Sequence, residues 1–298
     1  MAVMDALLQS GRRVRMVNRS GRASVPEGVE VVGGDAADPT FTREASAGAS
    51  VVYFALNPPY DKWPELFPGL QAGVLEGAAS AGAKLIAVEN LYMYGSTGGR
   101  PLTEDLPYAA NTRKGKVRAR MSRELMEANA SGKVRVAIGR ASDFFGPRVL
   151  ASAAGEQVFG RAVAGKSAQV AGDPDQPHTY TYAPDIGRGL VILGEREEAL
   201  GRVWHLPSPE TVTTRRFVET IFEEVGKPAR VQAAPKILLR AMGLFNPPLR
   251  ETIEMLHEFE EPFAVDHSAF ERTFGMHASP LRDAIRETVR WYRQVDGA

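Results

Sequence analysis

Along the first half of the chain the apolar positions switch repeatedly between short continuous runs and a three-to-four-residue spacing. That alternation predicts a parallel sheet with crossover helices. Val3, Ala6 and Leu7 share one face over Ala2 to Ser10, which predicts a helix stopped by Gly11. Strands are predicted over Arg13 to Val17, Val29 to Val32, Val51 to Ala55, Lys84 to Val88 and Val134 to Ile138. The third of these, Val51-Val52-Tyr53-Phe54-Ala55, is apolar throughout, as expected of a strand covered on both faces. Between them, Leu66, Leu70, Val74 and Ala78 recur at helical spacing, and Thr112 to Ala130 reads as a helix with a narrow stripe at Val117, Met121 and Leu125.

Past Gly146-Pro147 the pattern turns mostly helical, at Ser152 to Ala164, Asp185 to Gly194, Thr213 to Val225, Pro235 to Met242 and Leu249 to Phe259. The last helix is the best defined. Ser279 is a predicted N-cap, Pro280 takes the first helical position, and Leu281, Ala284, Ile285, Thr288, Val289 and Tyr292 form one face. The fold class is therefore α/β, a doubly wound parallel sheet with a smaller, mostly helical C-terminal lobe.

Composition narrows the function classes. Lys plus Arg and Asp plus Glu are both 36 in 298 residues, so charge gives no reason to expect nucleic acid or an anionic membrane as partner. No cysteine is present, which removes disulfides, thiolate catalysis and cysteine-held metals and fits a reducing cytosol. Met1 to Arg13 has no cation before Arg12 and carries Asp5, so it does not read as a signal peptide. No apolar run approaches the roughly 20 residues needed to span a bilayer, and a cytoplasmic protein is expected. The five histidines show no zinc-ligand spacing, so no metal is expected. His178, just ahead of Tyr180, is a candidate substrate contact.

Several segments together resemble the extended short-chain dehydrogenases, the epimerase/dehydratase group, in order and spacing over nearly the whole chain. They are Gly33-Gly34-Asp35, Tyr92-Met93-Tyr94-Gly95, Arg140 to Pro147, Tyr180 to Asp185, and the final helix ending Trp291-Tyr292-Arg293. The resemblance implies a Rossmann-like nucleotide-binding domain over 1–148 and 178–206, with a substrate-binding lobe from 149–177 and 207–298. It also implies an NADP or NAD cofactor, a small-molecule substrate that is a candidate anion, and a homodimer as one candidate assembly. Cofactor contacts are implied at Asn18, Arg19 and Ser20 after the second family strand, and at Asp35 and Ala36 after the third. Ala55, Leu56 and Asn57 after the fourth, and Arg140 and Ser142 near the nicotinamide, complete the set. Arg19 with no nearby acid favours NADP over NAD, since a 2′-phosphate needs a cation.

The chain departs from the family in two places. Aligning Asp5-Ala6-Leu7-Leu8 with the family's first helix puts the third glycine of the phosphate loop just before Met1. The resemblance thus implies a chain truncated before that helix, lacking the first, central strand and binding dinucleotide weakly. The strands at Arg13–Val17 and Val51–Ala55 would then flank a vacant slot. Leaving it open is expected to cost too much, and closing it would misplace helix Ala2–Ser10. Second, no tyrosine has a lysine four positions on, the family's usual acid and its partner. Aligning Glu124 with the family's helix glutamate puts Lys116 at the tyrosine position and Arg120 at the lysine position, with Asn90 at the serine position. Asn90, Tyr94 and Lys116 are thus the candidate catalytic residues. Arg113, Lys114, Lys116, Arg118, Arg120 and Arg123 crowd six cations into eleven residues without an acid, readable as a solvated face or as an anion site. Two functions remain open: an oxidoreductase, epimerase or dehydratase acting on a carbonyl or hydroxyl group, and a non-catalytic NADP(H) sensor.

Overall fold

The structure, a computed structural model, describes residues 1–233 and 253–296. The helix predicted at Pro235–Met242 and the start of the one predicted at Leu249–Phe259 lie outside the described residues. In chain order the first elements are α1 (Ala2–Gln9), β1 (Arg15–Asn18), β2 (Glu30–Gly33), α2 (Pro39–Ser46), β3 (Val51–Phe54), α3 (Trp63–Ala81), β4 (Lys84–Glu89), α4 (Arg113–Ala130) and β5 (Val136–Arg140). There follow β6 (Asp143–Phe145), a π-helical turn (Gly155–Gly160) leading into α5 (Arg161–Val163), β7 (Ala168–Val170), β8 (Pro177–His178), β9 (Tyr180–Tyr182) and α6 (Ala183–Glu195). The chain continues through β10 (Arg202–His205), β11 (Val212–Thr213), α7 (Thr214–Val225), β12 (Val231–Ala233), α8 (Ser268–Phe274) and α9 (Leu281–Asp296). These elements form two compact units. The first takes Met1–Glu89, Arg113–Arg140 and Ile186–Trp204; the second takes Asn90–Thr112, Ala141–Asp185 and His205–Ala298.

In the first unit β1 pairs with β2, and β3, β4, β5 and β10 form a separate four-stranded sheet. The β1–β2, β3–β4 and β4–β5 ladders are all parallel, as the crossover pattern predicted. No strand among the described residues joins β1 to β3. A cavity of about 1300 Å³ lies along both edges, lined by β1, by Val51, Val52 and Tyr53 of β3, and by Met4 and Leu7 of α1. The slot therefore stays open, against the expectation that leaving it open would cost too much. The physical reason is the anchoring of α1. A Cβ on Gly187 would meet the Ala2 carbonyl oxygen at 2.4 Å, and Arg12 just beyond the helix pairs with Glu195 at 2.8 Å. Drawing β1 onto β3 would pull α1 off both contacts. The residual cost shows in burial: Leu85 of β4 and Ile138 of β5 are fully buried, whereas Val51, Val52, Met16 and Val17 are only half-buried.

Helices α2 and α3 hold the two half-sheets by close backbone contact. A Cβ on Gly73 would stand 2.1 Å from the Ala36 carbonyl oxygen, and one on Gly77 2.6 Å from that of Thr42. The second unit has its own core, in which Phe145 stacks on Phe159 and packs edge-on to Phe217. All six residues of the predicted α9 face are buried in or against that core. Just before α9, Ser279 donates both its amide and its hydroxyl to the Asp185 carboxylate, at 2.7 and 2.9 Å, which fixes the start of the helix. Among the described residues no helix is long and apolar enough to cross a membrane.

The contrast between two α3 glycines tests this packing. Gly73→Ala should lower the unfolding free energy by about 1–3 kcal/mol through overpacking against Ala36. Gly69 is exposed, with its nearest neighbour at 3.8 Å, so Gly69→Ala should be neutral or stabilise by up to about 1 kcal/mol through helix propensity. Equal denaturant midpoints for the two variants would contradict the backbone contact.

Candidate functional site

The C-terminal ends of β4 and β5 carry opposite charges at paired positions, Glu89 and Arg140. Arg140 Nε donates to Glu89 Oε2 at 3.1 Å, and its terminal nitrogen donates to Ser122 Oγ of α4 at 2.7 Å. Arg118, also on α4, lies 3.8 Å from Glu89 Oε1, donates to the Val88 carbonyl at 3.4 Å and covers the Phe67 ring. All three charged side chains are at most 3% exposed. Apolar residues in their place would commonly be as stable or more so, so the cluster's clearest contribution is positional. One turn before Arg118, fully buried Lys114 sits over the Tyr60 ring, 4.2 Å from its centroid.

The structure divides the cation run of α4. Lys114 and Arg118 face inward together with Met121, Ser122 and Leu125, whereas Arg113, Lys116, Arg120 and Arg123 are exposed. Lys116 and Arg120 therefore lie on the exposed face of α4, and the inward pair at the same i, i+4 spacing is Lys114 and Arg118. A signal was present in the sequence. Met121 and Leu125 point back along the helix to positions 114 and 118, while Val117, also counted in the stripe, is only half-buried.

Of the implied cofactor residues, all but two collect at the ends of β1, β2 and β3; Arg140 ends β5 and Ser142 follows it, both buried. Asn18 accepts the Gly21 amide at 2.8 Å and donates to the Arg22 carbonyl at 3.1 Å, stapling a turn that leaves Arg19, Ser20 and Arg22 exposed. Arg19 lies 4.0 Å from the Asp35 carboxylate, which also accepts the Ala37 amide at 3.0 Å. A Cβ on Gly33 would stand 2.7 Å from the Gly21 backbone, so the two turns touch main chain to main chain. Asn18, Ala36, Ala55 and Leu56 line the same cavity, and Asn57 is exposed beside them in sequence. Among the described residues no group of acids and histidines could hold a metal ion.

The second unit holds Asn90, Tyr94 and Ser142, so the candidate catalytic trio is divided, with Lys116 in the first. Asn90 follows β4 directly, is half-buried, and accepts the Tyr92 amide at 3.4 Å. Tyr94 is buried, its hydroxyl 2.8 Å from His205 Nε2, while His205 Nδ1 lies 3.0 Å from the Asp266 carbonyl. A carbonyl only accepts, so Nδ1 carries the proton, Nε2 accepts, and Tyr94 is the donor to it. Ser142 is also buried; its amide donates to Thr181 Oγ1 at 3.0 Å and its hydroxyl to the Thr179 carbonyl at 2.6 Å.

A sequence profile of the NAD dependent epimerase/dehydratase family matches residues 1–206. Among curated protein sequences none matches this chain. Solved structures superpose closely at low identity. An epimerase from Methanothermobacter thermautotrophicus reaches a TM-score of 0.81 at 17% identity over 99% of this chain and 89% of its own. The dTDP-glucose 4,6-dehydratase of Streptomyces venezuelae, crystallised with NAD, reaches 0.78 at 17% identity over 99% and 94%. The UDP-glucuronic acid 4-epimerase of Bacillus cereus, also with NAD, reaches 0.75 at 15% over 99% and 94%. These likenesses establish the Rossmann-like fold.

The buried cluster is open to a direct test. Arg140→Met leaves Glu89 buried beside one remaining cation and should cost about 3–5 kcal/mol in denaturant unfolding. Adding Glu89→Leu and Arg118→Met to that variant, so that no charge of the cluster stays buried alone, should recover most of the loss. A triple variant no more stable than the single one would show that the cluster's stability does not depend on this pairing.

Proposed function

The chain belongs to the NAD dependent epimerase/dehydratase family, and from that premise we propose that it is a nicotinamide-dinucleotide-dependent enzyme acting on a carbonyl or hydroxyl carbon of a nucleotide-linked sugar, with NADP preferred. One observation carries the reading. A buried Glu89–Arg118–Arg140 cluster is held at the C-terminal ends of parallel strands, the end at which open α/β sheets take ligands. Substrates of this kind are small anions, and the solved structures named for dTDP-glucose and UDP-glucuronic acid support that class.

The residues present fit the cofactor's adenosine side. The stapled turn after β1 presents the guanidinium groups of Arg19 and Arg22 to solvent, the chemistry a ribose 2′-phosphate requires. Asn18, Ser20, Asp35 and Ala36 would border the ribose and adenine, and Ala55, Leu56 and Asn57 the following phosphate. When bound, the nicotinamide supplies or accepts the hydride. Arg118, fixed by Glu89, keeps α4 in the rotation that buries Lys114 against Tyr60 and leaves Lys116 on the exposed face, where its ammonium is accessible to an anionic group. Asn90 offers a side-chain amide as donor to a substrate oxygen. Arg140 and Ser142 act by position, each fixed by buried hydrogen bonds.

A second reading, an NADP(H) sensor without turnover, is favoured by one observation: the Tyr94 hydroxyl donates to His205 within the fold instead of standing free as an acid. Incubating the chain with NADP⁺ or NADPH and either dTDP-glucose or UDP-glucuronic acid, with products followed by mass spectrometry, separates the two. Cofactor binding with no product from either sugar nucleotide selects the sensor.

Cofactor preference turns on Arg19. Arg19→Asp should weaken NADPH by about 10- to 100-fold, the worth of one charged hydrogen bond, and leave NADH nearly unchanged in calorimetric titration. Equal losses for both cofactors would place Arg19 outside the 2′-phosphate site.

A further inference from the structure

The second unit contains a buried acid–imidazole pair that the reading above does not use. His178 Nε2 lies 2.9 Å from Asp143 Oδ2, and His178 Nδ1 lies 3.2 Å from the Glu258 main-chain carbonyl. The ring is stacked between Phe259 and Phe263, with centroids at 4.7 and 5.1 Å, and tilted against Tyr180. Turning the ring over would set carbons against both oxygens and forfeit both bonds, so its orientation is settled by its partners.

A neutral imidazole has one donor and one acceptor nitrogen. The carbonyl of Glu258 can only accept, so Nδ1 carries a hydrogen. Nε2 then faces a carboxylate oxygen at hydrogen-bond distance, and two lone pairs cannot meet there without a proton between them. The pair therefore holds one proton more than a neutral histidine beside a carboxylate. The Glu258 side chain is buried, and burial, with the Asp143 charge acting in the same direction, raises its carboxyl well above the usual range. Burial likewise raises the Tyr180 phenol, despite its hydrogen bond to Thr214. Both neighbours are thus neutral, and Asp143 is the counter-charge. The two members also differ in access: the His178 side chain is 2% exposed and that of Asp143 18%.

We propose that Asp143 and His178 form a proton-donating dyad, in which buried His178 stores the proton and Asp143 passes it to a carbonyl or alkoxide oxygen of the substrate. The Nε2–H bond breaks, its electron pair stays on His178, the proton crosses to the Asp143 carboxylate, and an Asp143 O–H bond breaks as the substrate O–H bond forms. No electrons change hands at the dyad, and solvent returns the proton through the same carboxyl. The substrate oxygen rests on the proposed enzymatic function; the proton store does not.

Ring-¹⁵N histidine NMR on the full chain, with His178 assigned through His178→Gln, tests the store without any turnover. Both His178 nitrogens should read as protonated at neutral pH. In Asp143→Asn the side-chain amide can donate to Nε2, so the ring should become the neutral Nδ1–H form. That variant should also lose about 100-fold or more in kcat with NADPH, at little change in NADPH affinity, and lose the acid–base limb of the kcat pH profile. A neutral His178 in the unaltered chain overturns the proposal, and so does an Asp143→Asn variant that keeps both kcat and its pH profile. A chain that binds NADPH and shows the doubly protonated ring, yet turns over neither dTDP-glucose nor UDP-glucuronic acid, overturns the donor role together with the enzymatic reading.

Discussion

One buried carboxylate sets the geometry of the first unit. Glu89 ends β4 and meets Arg140 from the neighbouring strand and Arg118 from α4, while Arg140 reaches on to Ser122 of that helix. Two strands and a helix are thereby locked at the strands' C-terminal ends, and the rotation of α4 about its axis is no longer free. That rotation decides which members of a dense run of cations face inward. With Arg118 on Glu89, Lys114 must lie a turn earlier on the same face, and Lys116 must face solvent. Apolar side chains would fill the same space at lower electrostatic cost, but they would not set the phase of the helix by directed hydrogen bonds.

The open seam beside β3 is the counterpart of that rigidity. The β1–β2 ladder and the four-stranded sheet are each internally paired, yet two strand edges face one cavity. Unpaired edges and half-buried valines are unfavourable in water. They persist because α1 is pinned to Gly187 and Glu195, and because α3 lies against the turn after β2 through Gly73 with no room for a side chain. The turns that present Arg19 and Asp35 belong to the smaller ladder, so the adenosine side of the proposed site is carried by the less buried part of the unit.

Much of this was legible in the chain. Each strand predicted before position 140 is found within two residues of its predicted ends, because continuous apolar runs bounded by turn residues leave little choice. The α9 face was legible for the same reason, six apolar or small positions at helical spacing. The rotation of α4 was less so. Its stripe was read from Val117, whereas the partners that fix the helix, Glu89 and Arg140, come from two strands with no local signature. The Asp143–His178 pair was harder still. Its members are 35 residues apart, the Glu258 carbonyl is a further 80 away, and no periodicity brings them together. Buried polar pairs of this kind are created by topology, and a sequence pattern records only the apolar face of each element.

The central claim is that the turns after β1, β2 and β3 receive a dinucleotide. Backbone amide chemical-shift mapping during an NADPH titration tests it most directly, since it locates even weak binding. The account predicts that the largest shifts fall at Asn18–Arg22, Asp35–Ala36 and Ala55–Asn57, with a smaller set at the first turn of α4. Shifts confined to the second unit, or none at millimolar NADPH, would contradict it.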